Sequence, residues 1–505
     1  MTDIEGIGGW VLRRALMTPS RTAVVFGERC WTYAELASRV RRLAVRLREE
    51  GVRAGDRVAY LGANHPAFVE TMFAAQLLGA IFVPLNFRLA APEIDYMLRN
   101  SGSDVLVYGR GSAEVVRELE SRPGLVIAVE EPEPGERDYE AFLAEGEDEP
   151  VQAPVRGEDI ALILYTSGTT GKPKGAMLSH ANLVWNTYNL LVGVDVTSEE
   201  RTLISAPLFH VAALDQCLLP TLLKGACAVI TPRWRVEEVF ELIERRGITL
   251  LFGVTTMFAD LAASPRWADA DLSSLRIVMS GGAAIPESLI RTYQRRGLVF
   301  CQGYGMTETA PGATFLEASE SARKVGSAGV PTMFTEVRVV GADGADVAPG
   351  EPGEVLIKGP NVSPGYWNDP EATAASRTGD GWFRSGDLGK LDEEGHLYVV
   401  DRVKDMFISG GENVYPAEVE SAIFTHPAVA EVAVVGVPDD KWGEVGCAHV
   451  VPREDAALTL DELREHLQPR LAGYKIPARL EIREELPKTG SGKIQKSHLH
   501  PADES

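Results

Sequence analysis

A continuous run of glycines, hydroxyl residues and lysines occupies positions 165–175, with the sequence Tyr-Thr-Ser-Gly-Thr-Thr-Gly-Lys-Pro-Lys-Gly. Its glycines let backbone N–H groups approach an anion closely, and its hydroxyls can donate to phosphate oxygens. Lys172 and Lys174 add positive charge. The apolar run 161–164 precedes the segment, so we expect the loop at the carboxyl end of a buried strand. These features predict a phosphate-binding loop.

Two alternatives to this interpretation can be weighed from the residues. A Walker A loop needs four residues between its glycines and a Ser or Thr after its Lys. Here two residues separate Gly168 from Gly171, and Pro173 follows Lys172, so that alternative fails. A flexible turn is the other alternative, because Gly, Ser and Thr are common in loops. The unbroken run with two lysines favours phosphate binding.

The loop is similar to the phosphate loop of the adenylate-forming superfamily. That superfamily includes acyl-CoA synthetases, peptide-synthetase adenylation domains and firefly luciferase. The resemblance covers essentially the whole chain and rests on several further segments, which occur in the family's order. It implies a carboxylic acid–CoA ligase that passes through an acyl-adenylate, with ATP, Mg²⁺ and coenzyme A as cofactors and the acid as substrate.

Segment 302–308, Gln-Gly-Tyr-Gly-Met-Thr-Glu, resembles the family's second nucleotide motif. Tyr304 offers a flat face to adenine, and the flanking glycines let the ring lie against the backbone. Glu308 offers one carboxylate, the usual protein share of a Mg²⁺ site that phosphates and water complete. Thr307 can donate to a phosphate. Outside this context Glu308 would be read as a solvated loop acid.

Segments 280–284 and 382–387 match two more family motifs. The first, which otherwise reads as a tight turn, would run along adenine and the acyl channel. The second places Asp387 against the ribose hydroxyls. In the following segment, Asp-Arg-Val-Lys-Asp, Arg402 would contact ribose or phosphate, and Lys404 falls where the family hinges.

Three further segments complete the resemblance. Gly410 and Gly411 belong to a loop that lines the pantetheine tunnel in acyl-CoA synthetases, and a helix-entry turn is compatible with that role. Lys493 stands in the C-terminal lysine motif, where it would bridge the carboxylate and the α-phosphate; by itself it would be a surface lysine. His210 follows Pro-Leu-Phe beside the carboxylate pocket and would gate it, although a lone His on an apolar face usually packs.

The resemblance therefore implies a specific set of site residues. The catalytic residues are Lys493, Glu308, Thr166 and His210, with Glu308 as the metal ligand and Lys404 as the hinge. The ATP or AMP ligands are Thr166, Ser167, Gly168, Thr169, Thr170, Gly171, Lys172, Lys174, Gly282, Ala283, Gln302, Gly303, Tyr304, Gly305, Met306, Thr307, Asp387, Arg402 and Lys493. The coenzyme A ligands are Gly410, Gly411 and Glu412, and the acyl pocket contains His210, Val211, Gly281 and Gly305.

The identity of the acid stays open at this level. Segments 210–214 and 326–337 look like those of medium- to long-chain fatty acyl-CoA synthetases, so we expect an apolar acid, with a fatty acid first and a bulky aromatic, steroid-like or terpenoid acid second. Residues 254–256 depart from the family, which often has a proline two residues after Gly253. Loading of a carrier protein, a single half-reaction and nucleotide binding without catalysis are the alternative functions.

The elements that must position these residues alternate along the chain. Thr32 and Glu35 form a capping box before a helical periodicity that ends at Gly51. Strands at 57–61, 81–84, 105–108, 160–165 and 276–279 alternate with helices at 67–78 and 93–98, which predicts a mostly parallel sheet. Residues 130–150, rich in Glu, Pro and Gly, are expected to form a surface connection.

The composition shifts after Gly341, where turns separate the short strands 355–358 and 397–400 and predict an antiparallel, β-barrel-like subdomain. A compact α+β unit follows, with helices at 418–424 and 460–467 and strands at 431–437 and 478–482. We therefore predict an α/β protein with a large N-terminal domain of α/β subdomains, residues 1–402, hinged to a small α+β C-terminal domain, residues 403–505.

The bulk composition limits the partners. The chain of 505 residues carries a formal net charge of −22, which argues against nucleic acid as the main ligand. Five cysteines without a CxxC pair disfavour a zinc ribbon or a disulfide framework. No basic region precedes an apolar run at the N-terminus, and the longest apolar stretch is too short to span a bilayer. We expect a cytoplasmic protein without an integral membrane segment, and leave a homodimer open.

Overall fold

The computed structural model describes residues 6–166, 173–282, 285–298, 300–402, 405–409, 412–439, 441–454, 456–488 and 494–499. The strands are β1 (Thr22–Phe26), β2 (Arg29–Thr32), β3 (Arg57–Leu61), β4 (Ile81–Leu85), β5 (Val105–Tyr108), β6 (Leu125–Ala128), β7 (Arg137–Asp138), β8 (Ile160–Thr166), β9 (Lys174–Ser179), β10 (Arg201–Ile204), β11 (Cys227–Ile230), β12 (Leu250–Gly253), β13 (Ile277–Ser280), β14 (Phe300–Gly305), β15 (Gly312–Leu316), β16 (Val330–Pro331), β17 (Glu336–Val340), β18 (Gly353–Lys358), β19 (Gly365–Tyr366), β20 (Phe383–Leu391), β21 (Leu397–Arg402), β22 (Phe407–Ser409), β23 (Glu412–Val414), β24 (Val429–Asp439), β25 (Gly443–Pro452) and β26 (Arg479–Ile482).

The helices are α1 (Trp10–Met17), α2 (Tyr33–Glu49), α3 (Pro66–Leu77), α4 (Ala91–Ser101), α5 (Ala113–Arg117), α6 (Tyr139–Glu145), α7 (His180–Gly193), α8 (Val211–Ala213), α9 (Leu219–Lys224), α10 (Val236–Arg246), α11 (Thr255–Ala263), α12 (Glu287–Arg295), α13 (Pro370–Ala375), α14 (Pro416–Phe424) and α15 (Leu460–Leu467). A π-helical turn, Leu214–Leu218, joins α8 to α9. Short 3-10 turns include Thr307–Thr309 and Lys496–His498. No helix within the described ranges has the length and apolar character that a membrane crossing requires.

Two large sheets share one hydrophobic core. The first has the order β16-β15-β14-β13-β12-β10-β11-β1-β2, and the second has the order β19-β9-β8-β4-β3-β5-β6-β7. Their central strands pair in parallel, and antiparallel pairs occur toward the edges. Helix α3 is buried along its whole length and belongs to a cluster that includes residues of both sheets. A helix that is mainly apolar is expected to be buried in this way, and its one carboxylate, Glu70, is paired with Arg39.

The remaining strands form two smaller sheets. Strands β17-β18-β20-β21 make an antiparallel sheet, as the turn-rich sequence after Gly341 predicts. Strands β23-β22-β25-β24, with β26 beside β25, form the sheet of a separate small C-terminal domain. Helices α14 and α15 pack on this sheet around a core of their own.

Most predicted elements are present with slightly different ends. The capping box at Thr32 and Glu35 is formed, and the predicted strand at 105–108 and helix at 460–467 have the observed bounds. The surface connection predicted for 130–150 is wrong in part. Helix α6 lies within it and buries Tyr139, Phe142 and Leu143. Seven residues are too few to show a clear helical period in a segment dominated by Glu, Pro and Gly.

One hydrogen bond crosses the predicted domain boundary at 402. The buried carboxylate of Asp401, at the end of β21, accepts the backbone N–H of Ala417 at 2.9 Å. Ala417 lies in the first turn of α14, where backbone N–H groups have no acceptor within the helix. A large-domain side chain therefore caps the first helix of the predicted small domain. The boundary itself stays a prediction.

Candidate active site

The predicted phosphate loop connects two paired strands. Strands β8 and β9 are antiparallel, with Tyr165 opposite Gly175 and Thr166 opposite Lys174. The Thr166 hydroxyl donates to the Lys174 carbonyl at 3.4 Å, which closes the base of the loop. Ser167 to Lys172 lie outside the described residues. The loop therefore begins at the carboxyl end of a buried strand, as predicted.

Lys174 and Glu308 are connected through a residue that the sequence analysis missed. The Tyr366 hydroxyl donates to Glu308 Oε1 at 2.8 Å. The Lys174 ammonium lies over the Tyr366 ring, 5.5 Å from its centroid. Burial and the neighbouring Glu308 raise the pKa of Tyr366, so its hydroxyl stays protonated and donating. The only signal for Tyr366 in the sequence is its place as an aromatic residue between Gly365 and Trp367.

Glu308 is a suitable ligand for a hard cation. It lies half-buried on the 3-10 turn after β14, and Tyr366 fixes one of its two carboxylate oxygens. The Ser363 N–H donates to the Glu308 carbonyl at 2.8 Å, which anchors the backbone. Carboxylate oxygen is the ligand type that Mg²⁺ prefers. The donor set that surrounds Glu308 therefore fits the predicted metal role.

Buried amides hold the turn that follows Glu308. Asn361 Nδ2 donates to the carbonyls of Thr309 and Gly312, both at 2.8 Å. Asn186, on α7, accepts the Gly312 N–H at 2.9 Å. These residues are almost fully buried. The sequence contains one sign of this network, which was not used: the asparagines of α7 recur at helical spacing, as Asn182, Asn186 and Asn189.

The residues predicted to bind adenine and ribose come together directly. The Tyr304 hydroxyl donates to Asp387 Oδ2 at 2.7 Å, although the two residues are 83 positions apart. Asp387 is buried and lies opposite Arg402 in the β20–β21 ladder. The side chain of Arg402 lies outside the described part of the chain. Gln302 is also buried, and its Nε2 has no hydrogen-bond partner among the described residues, as expected of a group that awaits a ligand.

Close backbone packing explains two of the predicted glycines. A Cβ at Gly305 would lie 1.6 Å from the Pro311 carbonyl oxygen, so no side chain fits there. A Cβ at Gly281 would lie 3.2 Å from the carbonyl oxygen of Gly303, on the adjacent strand. Gly282 has a φ of +86°, which other residues rarely adopt. Ala283 lies outside the described residues.

His210 is linked through aromatic contacts to a residue that lines a cavity. Its ring centroid lies 4.3 Å from that of Phe209, which packs edge-on against Phe87. A cavity of about 180 Å³ lies beside Phe87. Its lining residues are Phe87, Arg88, Ser205, Pro207, Pro232, Arg233, Trp234, Val254, Thr256, Met257 and Asp260. The segment that departs from the family, 254–256, thus contributes to its wall, and Val211 is buried next to His210.

The small domain approaches this cavity through charged residues. Burial raises the pKa of Asp260, and Lys488 and Glu431 of the small domain are its charged neighbours. Lys488 and Ile494 are antiparallel bridge partners, and the Gln495 N–H donates to the Pro487 carbonyl at 2.8 Å. Lys493, between them in sequence, lies outside the described residues. The segments on either side of the Lys493 motif are therefore held together by backbone pairing.

Two ion pairs hold these flanking residues to the small domain. Lys488 contacts Glu431 at 2.6 Å, and Lys496 contacts Glu420 at 2.8 Å. Burial opposes the charge on Lys496, but Glu420, Asp401 and Asp405 outweigh it and raise the pKa of Lys496. Glu412 is exposed on β23. Gly410, Gly411 and the predicted hinge Lys404 lie outside the described residues.

Comparisons with known proteins identify the family of this chain. Residues 11–367 match the AMP-binding enzyme family, and residues 418–493 match the AMP-binding enzyme C-terminal domain. The chain belongs to the AMP-binding enzyme family. It is thus an enzyme, an acid–CoA ligase of the adenylate-forming superfamily that uses ATP, Mg²⁺ and coenzyme A.

The similar proteins of this family are acyl-CoA ligases. A feruloyl-CoA synthase from Amycolatopsis is 52% identical, with 98% of both chains covered. An indoleacetate–CoA ligase from Aromatoleum aromaticum is 44% identical over 97% of this chain and 96% of that protein. A long-chain-fatty-acid–CoA ligase from Mycobacterium tuberculosis is 39% identical over 97% of each.

A solved structure extends this similarity to the fold. The o-succinylbenzoate CoA synthetase from Bacillus subtilis, in complex with its acyl-adenylate intermediate, has a TM-score of 0.88 at 35% identity and 99% coverage of both chains. The same enzyme has also been solved with ATP and a magnesium ion. The large and small domains described above are therefore those of an AMP-forming acyl-CoA ligase.

Proposed function

We propose that this ligase activates an aromatic carboxylic acid and that the predicted site residues carry out its two half-reactions. The observation that carries the assignment of residues is a set of contacts in two groups. Lys174, Tyr366 and Glu308 form one part of it, and Tyr304 with Asp387 forms the other. These contacts support a nucleotide site, because they join residues of motifs that the resemblance assigns to one nucleotide.

In the first half-reaction, a substrate carboxylate oxygen attacks the α-phosphorus of ATP and pyrophosphate leaves. Asp387 would accept hydrogen bonds from the ribose, and Tyr304 would face the adenine. Lys174 and the loop N–H groups would orient the phosphates, and Lys493 would lie between the carboxylate and the α-phosphate. Positioning and charge stabilisation of this kind need no protein nucleophile. Glu308 would hold Mg²⁺, which supplies positive charge to the phosphates when bound.

In the second half-reaction, the thiol of coenzyme A attacks the acyl carbonyl and AMP leaves. We propose that the small domain turns about Lys404, which withdraws Lys493 and brings Gly410 and Gly411 to the acyl carbonyl. The cavity beside Phe87 is a suitable approach for the thiol, because one of its lining residues, Asp260, has charged neighbours in the small domain. Its two arginines, Arg88 and Arg233, suit the phosphates of coenzyme A.

The aromatic acid is supported by the relatives. The feruloyl-CoA and indoleacetate relatives have higher identity to this chain than the long-chain-fatty-acid relative, over similar coverage. A fatty acid, first on sequence grounds, is the second candidate because of the 39% identical fatty-acid ligase.

A panel of acids tests the substrate. Ferulate, cinnamate, indoleacetate and palmitate would be compared by AMP release and by thioester formation with coenzyme A. We expect the aryl acids to have the highest kcat/KM. A preference for palmitate would contradict the aromatic assignment.

Separate assays of the half-reactions test the residue roles. Lys493→Ala should abolish pyrophosphate exchange and spare thioester formation from a supplied acyl-adenylate. Lys404→Pro, which restricts φ, should do the reverse. Equal loss of both half-reactions in both variants would contradict the roles given to Lys493 and Lys404.

A further inference from the structure

A sulfur, a nitrogen and an oxygen ligand meet on one face of the small domain's sheet. Cys447 and His449 are two residues apart on β25, so their side chains point to the same face. Glu481 is the ladder partner of His449 on the parallel strand β26, which puts it on that face as well. The ligand atoms of the three side chains all lie within 4.8 Å of one another. In the described part of the chain, no other group of His, Cys, Asp and Glu meets this condition.

The spacing of these atoms fits tetrahedral coordination. His449 Nδ1 and Glu481 Oε2 are 3.4 Å apart. With zinc–nitrogen and zinc–oxygen bonds of about 2.0–2.2 Å, two such ligands of a tetrahedral ion are about 3.3–3.5 Å apart. The Cys447 sulfur needs about 3.5–3.7 Å to each of them, so it has to move by at most about 1.3 Å from within the 4.8 Å limit. Rotation of the side chains can close that gap.

The kinds of ligand select a borderline-soft cation. Mg²⁺ and Ca²⁺ take oxygen ligands, whereas a thiolate with an imidazole and a carboxylate suits Zn²⁺. Three protein ligands leave the fourth tetrahedral position for water. The predicted metal ligand Glu308, by contrast, offers oxygen alone. A divalent ion, a thiolate and a carboxylate have no net charge together, so the ion can be held in an apolar interior.

The setting provides a dry interior on one side and an entrance on the other. Cys447 and His449 are almost fully buried, and Cys447 belongs to an apolar cluster that includes Leu486. An apolar shell of this kind controls solvent access and the local dielectric. The Glu481 side chain is 50% exposed, which gives an ion a route from solvent. Arg483 donates to Glu481 Oε2 at 2.5 Å, as the outer partners of ligating carboxylates do.

The alternative to a metal site is ordinary packing. Buried cysteines commonly behave as small apolar residues, and the contact between His449 and Glu481 can be a simple ion pair. Half of the Glu481 side chain is exposed, so such a pair would contribute little to stability. Packing explains the burial of Cys447 but predicts no ion binding. A metal site predicts that the thiol proton is released to solvent as the sulfur–metal bond forms.

The position of the three ligands connects them to the lysine motif. Leu486, Ile494 and Leu499 pack in the same apolar cluster as the cysteine. These three residues lie on both sides of Lys493 in the sequence. Glu481 precedes this segment, near the end of β26. An ion bound to Glu481 and to β25 would therefore fix the strand from which the lysine segment begins.

We propose that Cys447, His449 and Glu481 bind one zinc ion, which fastens β26 to β25 on the face that the lysine segment covers. The ion is structural, because neither half-reaction has a step at this place. It stabilises the small domain, since the three ligands are brought together only in the folded chain. This inference is independent of the acid and of the residue roles proposed above.

Zinc binding to the full-length protein, first stripped of metals by dialysis against a chelator, tests the site. We expect about one zinc ion per chain in the absence of ATP. When Co²⁺ replaces zinc, a thiolate-to-metal charge-transfer band should appear. That band reports a sulfur ligand, so binding at Glu308 alone cannot produce it. Zinc should also raise the melting temperature of the wild type in a concentration-dependent way.

Two variants and a matched control locate the ion. Glu481→Gln and Cys447→Ser should each weaken zinc binding by roughly 100-fold or more, because loss of an outer partner alone costs about 10–100-fold. Zinc should no longer raise their melting temperatures at concentrations that stabilise the wild type. Cys301→Ser is the control: Cys301 is as buried as Cys447 but belongs to no ligand group within the described ranges. It should bind zinc like the wild type.

Three results would overturn the inference. Absence of zinc from the wild type, or a Co²⁺ spectrum without the thiolate band, would mean that Cys447 is only a packed side chain. Zinc binding that survives unchanged in Glu481→Gln would place the ion elsewhere. Because Glu481 is half-exposed, its variant is expected to fold even where Cys447→Ser does not. Failure of pyrophosphate exchange or of thioester formation bears on the proposed function and leaves this site unaffected.

Discussion

The turn after Glu308 and the segment around Lys493 are held by opposite kinds of interaction. Around the turn, Asn361 accepts the Thr335 hydroxyl and donates to two carbonyls, and each of these groups is neutral and buried. Around the lysine motif, the pairs Lys488–Glu431 and Lys496–Glu420 carry full charges. Their side chains remain 33% and 31% exposed in the first pair and 17% and 20% exposed in the second.

This difference matches what each region has to do. Neutral hydrogen bonds in a dry interior hold one geometry and respond little to salt. Charged pairs near solvent can separate at moderate cost, because water solvates the separated ions. We infer that the turn after Glu308 is built to stay fixed, whereas the lysine motif is built to be released from its position.

The largest expected effect comes from the centre of the fixed region. Glu308→Gln should lower pyrophosphate exchange by roughly 10²–10³-fold, by analogy with the loss of one electrostatic catalytic group. The amide keeps the shape of the side chain but removes the charge that a cation requires. Tyr366→Phe, which deletes only the hydroxyl that Glu308 accepts, should cost far less. A Glu308→Gln enzyme with normal exchange across a Mg²⁺ titration would contradict the metal role.

The amide network beneath the turn should produce the next largest effect. Asn361→Ala leaves the Thr309 and Gly312 carbonyls without their donor and should lower the free energy of unfolding by about 3 kcal/mol. Since no charge is removed, the loss should be the same at low and high salt. Urea denaturation at two salt concentrations measures this. A strongly salt-dependent loss would contradict the contrast between the two regions.

The two ion pairs should differ from each other. Lys496→Met leaves Glu420 and Asp401 near each other without the cation, and should destabilise the small domain by about 2–3 kcal/mol. This value lies below the full cost of breaking a buried ion pair, because the side chains of Lys496 and Glu420 keep some contact with solvent. Lys488→Met, at the more exposed pair, should cost less than about 1 kcal/mol. Calorimetry of both variants measures the two losses of stability. Equal losses would contradict the role of burial in these ion pairs.

The smallest effect is expected at Asp215. Asp215→Asn should change the free energy of unfolding by about 1 kcal/mol or less at pH 3, because the carboxyl group is then neutral in both the folded and the unfolded wild type. Because the pKa of Asp215 is higher in the folded than in the unfolded state, its bound proton stabilises the wild type. This stabilisation is complete below the unfolded-state pKa of about 3.9 and is lost as pH rises toward the folded-state pKa. The variant should therefore gain stability relative to the wild type between pH 5 and pH 8. A pH-independent difference would mean that Asp215 is ionised in the fold.

The sequence predicts those features that local patterns encode. Buried parallel strands appear as apolar runs, so the positions of β5 and β8 could be read directly. The glycine-rich loop was recognised because anion binding needs a continuous local segment. The contact between Tyr304 and Asp387 joins distant residues, and only the fold brings them together.

Most of the site residues that the sequence did not reveal have neutral side chains. Asn361 and Tyr366 have no distinctive spacing with the recognised motifs, since their importance comes from what they contact. The wrong interpretation of 130–150 has a different origin. Its charged composition concealed helix α6, whose three buried apolar residues are identifiable only once the neighbouring α2 is in place.

The cap that Asp401 forms on α14 has a consequence for recombinant enzymes made from two relatives. The carboxylate precedes the predicted boundary at 402, and the N–H of Ala417 that it accepts follows that boundary. A crossover at 403 would take the cap from one parent and the helix from the other, and loss of a matching acceptor typically costs about 0.5–2 kcal/mol. A crossover before Leu397 inherits β21, the cap and α14 together. Chimeras that exchange acid-binding large domains should therefore be most stable when the exchanged segment ends before β21.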